Sequence, residues 1–317
     1  MQMKTKLVTL IMGLLIMAMH RISYGQKANV DETRYLGKKA QSELDSLINL
    51  RDTGFIDGKL PTYYTPGYKN ISLEFQKIAT EAIDYYEGKY SKEFHVKLAV
   101  LDSVQWLKEI IPYGFVFYDN GWLVMNTGMD YETFKKIYGL KTYEQQLDIG
   151  MKKLKMDESE MMSDVFKVYS IHELGHYFIN ILGKAKSPDA WTGEFIATYF
   201  AYEFFKNVHP NELIGMELFS GVNRDFFSPK FSTIKDFDEK YVGVGLFNYV
   251  WYHSNFYFLA ESLYGCKGKD FIPYFEKTFP KETVKRFTIS EIIEKLDKEC
   301  NGTVAKWAQV MESKTKE

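Results

Sequence analysis

The chain has 317 residues, of which 45% are hydrophobic and 26% are charged, and its formal net charge is −2 at pH 7. These proportions are those of a globular protein that is large enough to bury a substantial core. A slightly acidic chain without a basic run lacks the positive surface that nucleic acids and anionic lipids require, so we expect neither as a partner.

The first 25 residues have the features of a secretory signal peptide. Two lysines precede an uncharged, mostly apolar run over residues 7–19, and Ser23 and Gly25 supply the small residues that a signal peptidase requires. The apolar run is too short to span a bilayer, and no later segment has the length and hydrophobicity of a membrane span. We therefore expect a periplasmic or secreted protein whose mature chain begins at Gln26.

Residues 26–70 are interpreted as an N-terminal accessory segment. Apolar residues at helical spacing predict a helix over residues 31–50. A stretch rich in glycine, proline and tyrosine follows over residues 54–70 and predicts a loop or an extended wrap. An inhibitory pro-segment, a structural wrap and a docking arm are all open as roles for this segment.

An α+β unit follows the accessory segment. Hydrophobic spacing predicts a helix over residues 72–90, a strand over residues 95–102 and a short helix over residues 104–111. Two apolar runs, over residues 114–118 and 122–126, are joined by an Asp-Asn-Gly turn, which is typical of a β-hairpin. We expect at least three strands here.

From residue 131 onward the pattern is almost entirely helical. The strongest predicted helices cover residues 161–182, 188–208, 244–264, 271–279, 290–299 and 304–311. We expect an α+β fold that is mainly α, in which a small sheet lobe with a hairpin edge strand packs on a helical lobe. The proposed division places a catalytic domain over residues 71–210 and a C-terminal helical lobe over residues 211–317.

Residues 172–176 read His-Glu-Leu-Gly-His and lie within an apolar predicted helix. Because residues four apart lie on the same face of a helix, His172 and His176 can both bind one ion. Glu173 is about a hundred degrees away around the helix, where it can contact a water molecule beside the ion without ligating it. Two buried histidines without a metal would each need a hydrogen-bond partner. We therefore predict a metal site of the His-Glu-x-x-His type.

The third ligand has to come from elsewhere, because a catalytic zinc ion takes three protein ligands and keeps one open position. Ile179 and Leu182 occupy the positions of the glycine and the third histidine in the extended motif His-Glu-x-x-His-x-x-Gly-x-x-His, so that ligand is excluded. The helix is expected to end at Gly183 and to be followed by an antiparallel helix.

Glu194 lies in the second turn of that next helix and is the predicted third ligand. It is a lone carboxylate among apolar residues, and a buried carboxylate needs a counter-charge. Glu203 and Asp189 are the alternative ligands. The alternative role for Glu194 is a solvent-facing side chain or one that is paired with a lysine such as Lys184.

His-Glu-Leu-Gly-His followed by Gly-Glu-x-x-Ala on the next helix resembles the gluzincin group of zinc peptidases, to which thermolysin belongs. The resemblance implies that His172, His176 and Glu194 hold Zn²⁺ and that Glu173 is the general base in hydrolysis of a peptide or protein substrate. It also implies a zincin-like catalytic domain whose last strand lies along the cleft and pairs with extended substrate. The Gly-x-Met-Glu-Asn run of the related aminopeptidases is absent, which favours an endopeptidase. Thr198 stands where thermolysin-like enzymes carry an aspartate that orients a zinc-bound histidine, so the orienting group is open.

A donor for the oxyanion is sought in the C-terminal lobe. Tyr249, Tyr252, His253 and Phe256 share one face of a predicted helix by three- and four-residue spacing. In gluzincin-like domains a tyrosine or histidine of this lobe reaches the cleft, and the resemblance favours Tyr249 or His253 as a catalytic residue. The alternative is that each is simply a packed core side chain.

The two cysteines, Cys266 and Cys300, leave two states open. One disulfide bond can form in an oxidising compartment, and two free buried thiols are the alternative. Two other functions also remain open: a catalytically inactive binding protein that keeps the peptidase fold, and a helical ligand-binding protein in which the motif arises by chance. The sequence indicates no oligomeric state.

Overall fold

The computed structural model describes residues 52–102, 116–119, 121–126, 143–283 and 285–314. The predicted signal peptide, the predicted helix over residues 31–50 and the predicted short helix over residues 104–111 lie outside these residues. The described chain is mainly helical, with a small N-terminal sheet packed on a helical lobe, so the predicted fold class is confirmed.

Five short strands form one sheet in the order β1-β2-β3-β5-β4. They are β1 (Gly54–Ile56), β2 (Thr62–Tyr64), β3 (Lys97–Leu101), β4 (Val116–Asp119) and β5 (Trp122–Asn126). The β1–β2 and β4–β5 pairs are antiparallel, whereas β3 runs parallel to both β2 and β5. The β4–β5 turn contains Gly121, whose φ of 84° is readily adopted only by glycine. The predicted hairpin is confirmed, and β4 is an edge strand of the sheet.

Part of the predicted accessory segment belongs to this sheet. Residues 54–64 were expected to form a loop or an extended wrap, and they supply β1 and β2. Strand β2 pairs with β3, with Thr62 opposite Leu98. Residues 54–56 and 62–64 are therefore extended and not a loop. They add two strands to the sheet.

The described residues contain ten α-helices. They are α1 (Lys69–Tyr90), α2 (Glu144–Leu154), α3 (Glu158–Leu182), α4 (Ala190–Val208), α5 (Leu213–Phe226), α6 (Ile234–Lys240), α7 (Leu246–Lys267), α8 (Phe271–Thr278), α9 (Ile289–Asp297) and α10 (Thr303–Ser313). Each helix that was predicted within the described residues begins and ends within three residues of its predicted limits. Helices α2, α5 and α6 were not predicted individually. None of the helices described has the length and apolarity needed to cross a bilayer.

Local sequence signals determine the ends of the α3–α4 hairpin. Helix α3 begins with a capping box formed by Asp157 and Glu160, and it ends at Gly183, which has a φ of 63°. A second capping box, formed by Asp189 and Thr192, begins α4. The short connection brings α4 back against α3. Every residue of α4 from Ala190 to Phe205 is buried, so this helix is the centre of the helical lobe.

Helix α7 packs against α4 and α5, and its C-terminal end is covalently bonded to the chain near α10. Cys266 and Cys300 form a disulfide bond, with 5.7 Å between their Cα atoms. The bonded state is therefore the correct one of the two alternatives. Near the middle of α7, the Trp307 indole of α10 donates a hydrogen bond of 3.0 Å to the carbonyl oxygen of Asn255. Helix α7 is thereby fastened on the side that faces α10.

Candidate metal centre

Three candidate ligands converge at the interface between α3 and α4. The Nε2 atoms of His172 and His176 lie 3.2 Å and 3.5 Å from Oε2 of Glu194. A tetrahedral ion with ligand distances of about 2.0–2.1 Å would have its ligand atoms about 3.3 Å apart, close to these separations. Among the described residues, this is the only group of histidine, cysteine and acidic side chains that could hold a metal ion. The donor set and its spacing therefore fit a metal ion.

The close approach of α3 and α4 depends on the glycine in the motif. A Cβ atom added to Gly175 would lie 2.6 Å from the carbonyl oxygen of Ala197 and 2.8 Å from its Cα atom. Any side chain at this position would push the two backbones apart. Gly175 lies one turn from His172, and Ala197 lies one turn from Glu194, so the contact brings the candidate ligands within reach of each other.

Thr198 supplies the group that orients His172, a role that the sequence left open. Its Oγ1 atom lies 3.0 Å from Nδ1 of His172 and 2.9 Å from the carbonyl oxygen of Glu194. Because the hydroxyl hydrogen is donated to that carbonyl, the hydroxyl oxygen accepts the N–H of the imidazole. This network places a proton on Nδ1, so Nε2 is the nitrogen that can give up its proton and bind a metal ion.

The other oxygen of Glu194 is held by a residue that sequence reasoning missed. The Tyr241 hydroxyl donates a hydrogen bond to Oε1 of Glu194, while Oε2 faces the two histidines. Tyr241 follows 47 residues after Glu194 and belongs to no recognisable motif. Only packing of α6 beside α4 brings it to the site.

The site is largely excluded from solvent, and charge stabilises Glu194 within it. Glu194 is 5% exposed, which excludes the solvent-facing alternative. Burial would raise the pKa of this carboxyl, but the charge of His176 and hydrogen bonds from both histidines outweigh it and hold the pKa well below the usual range. At Glu173 the balance is reversed, because burial raises the pKa against the opposing influence of His172 and His176. Two neighbouring carboxyl groups therefore have opposite pKa shifts.

Glu173 lies between the candidate ligands and the edge of the sheet. Its Oε2 atom accepts a hydrogen bond of 3.2 Å from the backbone N–H of Tyr118 in β4. That N–H points towards α3 and not towards β5, so the side of β4 that is turned away from β5 faces the site. Glu173 is half-buried and does not belong to the ligand group.

His253 of α7 also lies at the site, beside the ligand group. Its Nε2 atom is 3.5 Å from Oε2 of Glu194, but it is not in the set whose ligand atoms all lie within 4.8 Å of one another. Burial lowers the pKa of His253 to about 3, so the ring is neutral. It is 5% exposed, and within the described chain neither ring nitrogen has a hydrogen-bond partner. Buried polar atoms without partners are rare and indicate a place where a further group can bind.

Tyr249 packs against two residues of the site. The centroid of its ring lies 4.3 Å from that of His253 and 5.8 Å from that of Tyr241. It is partly buried in this aromatic cluster. His253, one of the two residues predicted as oxyanion donors, lies beside Glu194, and Tyr249 packs on its ring.

The alternative ligands Glu203 and Asp189 lie outside the site. Glu203 is fully buried, and its Oε1 atom is bonded to Lys89 at 2.5 Å and to Tyr85 at 3.0 Å. Asp189 accepts the backbone N–H of Thr192 at 3.2 Å as the N-cap of α4. Each carboxylate is occupied by a structural interaction, so neither belongs to the group that could hold a metal ion.

Comparison with known proteins identifies no relative of this chain. A scan against models of protein families finds no match, and searches of curated proteins and of solved structures find none either.

Proposed function

We propose that this protein is an exported zinc peptidase of the gluzincin kind that hydrolyses peptide bonds. The observation that carries the proposal is the convergence of His172, His176 and Glu194 on one point, with Glu173 beside them and outside the ligand group. Two imidazoles and one carboxylate are a ligand set used by catalytic zinc sites, which keep a fourth position open. Zinc is favoured over harder ions because imidazole nitrogen supplies two of the three ligands.

A zinc ion held by these three side chains would polarise the substrate carbonyl and lower the pKa of a water molecule at the open position. In this proposal Glu173 accepts a proton from the attacking water and passes it to the leaving amine. His253 faces Glu194, and neither of its ring nitrogens has a hydrogen-bond partner among the described residues, so its N–H is the proposed donor to the developing oxyanion. Tyr249 would support the ring of His253 by packing against it at a tilt.

The edge strand supports a peptide as the substrate class. Peptides bind exposed sheet edges in extended conformation through backbone hydrogen bonds. The outward-facing N–H of Tyr118 is bonded to Glu173, so a peptide paired with β4 would have its backbone next to the proposed general base. This arrangement favours cleavage within an extended chain, as an endopeptidase performs it.

The disulfide bond supports export. Bonds such as that between Cys266 and Cys300 persist in oxidising compartments and are rare in the reducing cytosol. This agrees with the signal peptide predicted from residues 1–25.

Metal analysis of the purified protein tests the first half of the proposal. We expect one zinc ion per chain, which is lost in His172→Ala and retained in the matched control His209→Ala. His209 pairs with Glu81 at 2.5 Å, away from the site. A wild-type protein that binds no divalent ion would contradict the proposal and leave the ligand-binding alternative.

Cleavage of a mixed peptide library tests the second half. Glu173→Gln should keep its zinc ion and lose turnover by a factor of about 10² to 10⁴, because the general base is removed. Undiminished cleavage by this variant would exclude Glu173 as the base. Zinc binding without any cleavage by the wild-type protein would favour the inactive binding protein.

A further inference from the structure

Tyr241 directly follows the last residue of α6 and has an unusual backbone conformation. Its φ of 47° and ψ of −120° are outside the regions that residues other than glycine normally adopt. Such conformations persist where the surrounding structure enforces them, and they cluster at functional sites. The conformation directs the hydroxyl group to Oε1 of Glu194.

Aromatic packing holds the ring in this direction. Tyr241 meets the ring of Phe237 edge-to-face at 5.6 Å and the ring of Tyr249 edge-to-face at 5.8 Å. Phe237 is itself fully buried. The phenol is therefore supported on two sides by rings and has its polar end at the carboxylate.

Helix α6 is also fastened to the start of α4, the helix that carries Glu194. The backbone N–H of Trp191 donates a hydrogen bond of 3.0 Å to Oδ1 of Asp238, which lies one turn before Tyr241. This second hydrogen bond lies one turn before both Tyr241 and Glu194. It helps to fix the position of α6 relative to α4, and with it the position of the Tyr241 hydroxyl relative to Glu194. A position fixed in this way is suited to orienting a ligand.

We infer that Tyr241 is a positioning residue that makes Glu194 bind the metal ion through one oxygen only; this inference rests on the proposed function. A carboxylate can ligate through one oxygen or through both, and a second Glu194 oxygen would occupy the position that the substrate needs. The hydrogen bond from Tyr241 holds Oε1 and leaves Oε2 to face His172 and His176. The open position is thereby preserved.

The test compares Tyr241→Phe with a matched control, Tyr252→Phe. Tyr252 is buried beside the same Phe237, and its hydroxyl donates to the carbonyl oxygen of Thr233 at 2.8 Å, away from Glu194. Both variants lose one tyrosine hydroxyl and keep the ring. The readouts are the visible absorption spectrum of the Co²⁺-loaded protein, kcat on the peptide library, and thermal unfolding of the metal-free protein as a check of folding.

For Tyr241→Phe we expect weaker Co²⁺ absorption, because five-coordinate Co²⁺ absorbs less strongly than four-coordinate Co²⁺, and a kcat that is about 10- to 100-fold lower. Tyr252→Phe should retain the wild-type spectrum and turnover. A wild-type spectrum in a folded Tyr241→Phe protein overturns the positioning role and leaves the proposed function intact. A wild-type protein that binds neither Zn²⁺ nor Co²⁺ overturns both.

Discussion

Replacement of Gly175 by alanine tests how the metal centre is assembled. The new Cβ atom would lie 2.6 Å from the carbonyl oxygen of Ala197, whereas ordinary contacts begin at 3.4 Å. The obstacle is helix backbone and cannot rotate away as a flexible side chain could. Helix α4 must therefore retreat from α3 by about 0.8 Å, the difference between these distances.

This displacement is large compared with the tolerance of a metal site. It would open the distance between Nε2 of His172 and Oε2 of Glu194 from 3.2 Å to about 4 Å, beyond the separation of about 3.3 Å that a tetrahedral ion allows. Overpacking costs about 1–3 kcal/mol of folding free energy, of which the better helix propensity of alanine offsets about 1 kcal/mol. We expect metal-free Gly175→Ala to be destabilised by at most about 2 kcal/mol, and its zinc affinity to fall tenfold or more, which corresponds to about 1.4 kcal/mol.

Urea unfolding with a chelator present and zinc competition with an indicator dye measure the two effects separately. Gly88→Ala is the control, because Gly88 lies in α1 and an added Cβ there would have no described atom beyond its own stretch of helix within 4 Å. That variant should bind zinc normally and be unchanged or slightly more stable. If Gly175→Ala bound zinc with wild-type affinity, the inference that this glycine sets the ligand spacing would be refuted.

Three further predictions concern the surroundings of the site and the helical lobe. Thr198→Val should weaken zinc binding about 10- to 100-fold, because the imidazole N–H loses its acceptor, while Thr198→Ser should restore it in the same competition assay. Replacing Cys266 and Cys300 together by serine should lower the free energy of unfolding by up to about 4 kcal/mol for a sequence separation of 34, measured in urea, and an unchanged value would contradict the closed loop. Burial and the neighbouring Asp189 raise the pKa of Asp238 to about 8, above its value in the unfolded chain, so the wild-type protein loses stability as the pH rises from about 4 to 8. Asp238→Asn should therefore raise the melting temperature at pH 8–9 and leave it nearly unchanged at pH 4, and a gain that is independent of pH would argue against the shifted pKa.

Much of the architecture could be predicted from local signals. The α3–α4 hairpin is determined by capping residues and Gly183, and the β4–β5 hairpin by its Asp-Asn-Gly turn. Helical periodicity places His172 and His176 on one face without any tertiary information. The two strands of residues 54–64 were not predicted as strands, because each is only three residues long and depends on pairing in the sheet.

The sequence by itself determined which helices carry the candidate ligands, because helix periodicity and capping act within a few residues of the chain. Only the tertiary structure decided that Thr198 orients His172, that Tyr241 holds Glu194 and that His253 lies beside that carboxylate. Tyr241 follows α6 and His253 lies in α7, both remote in sequence from Glu194, and their positions depend on side-chain packing across α4, α6 and α7. Packing of that kind leaves no periodic pattern in the sequence, because other buried rings of similar size could fill the same space. It therefore cannot be predicted from the sequence alone.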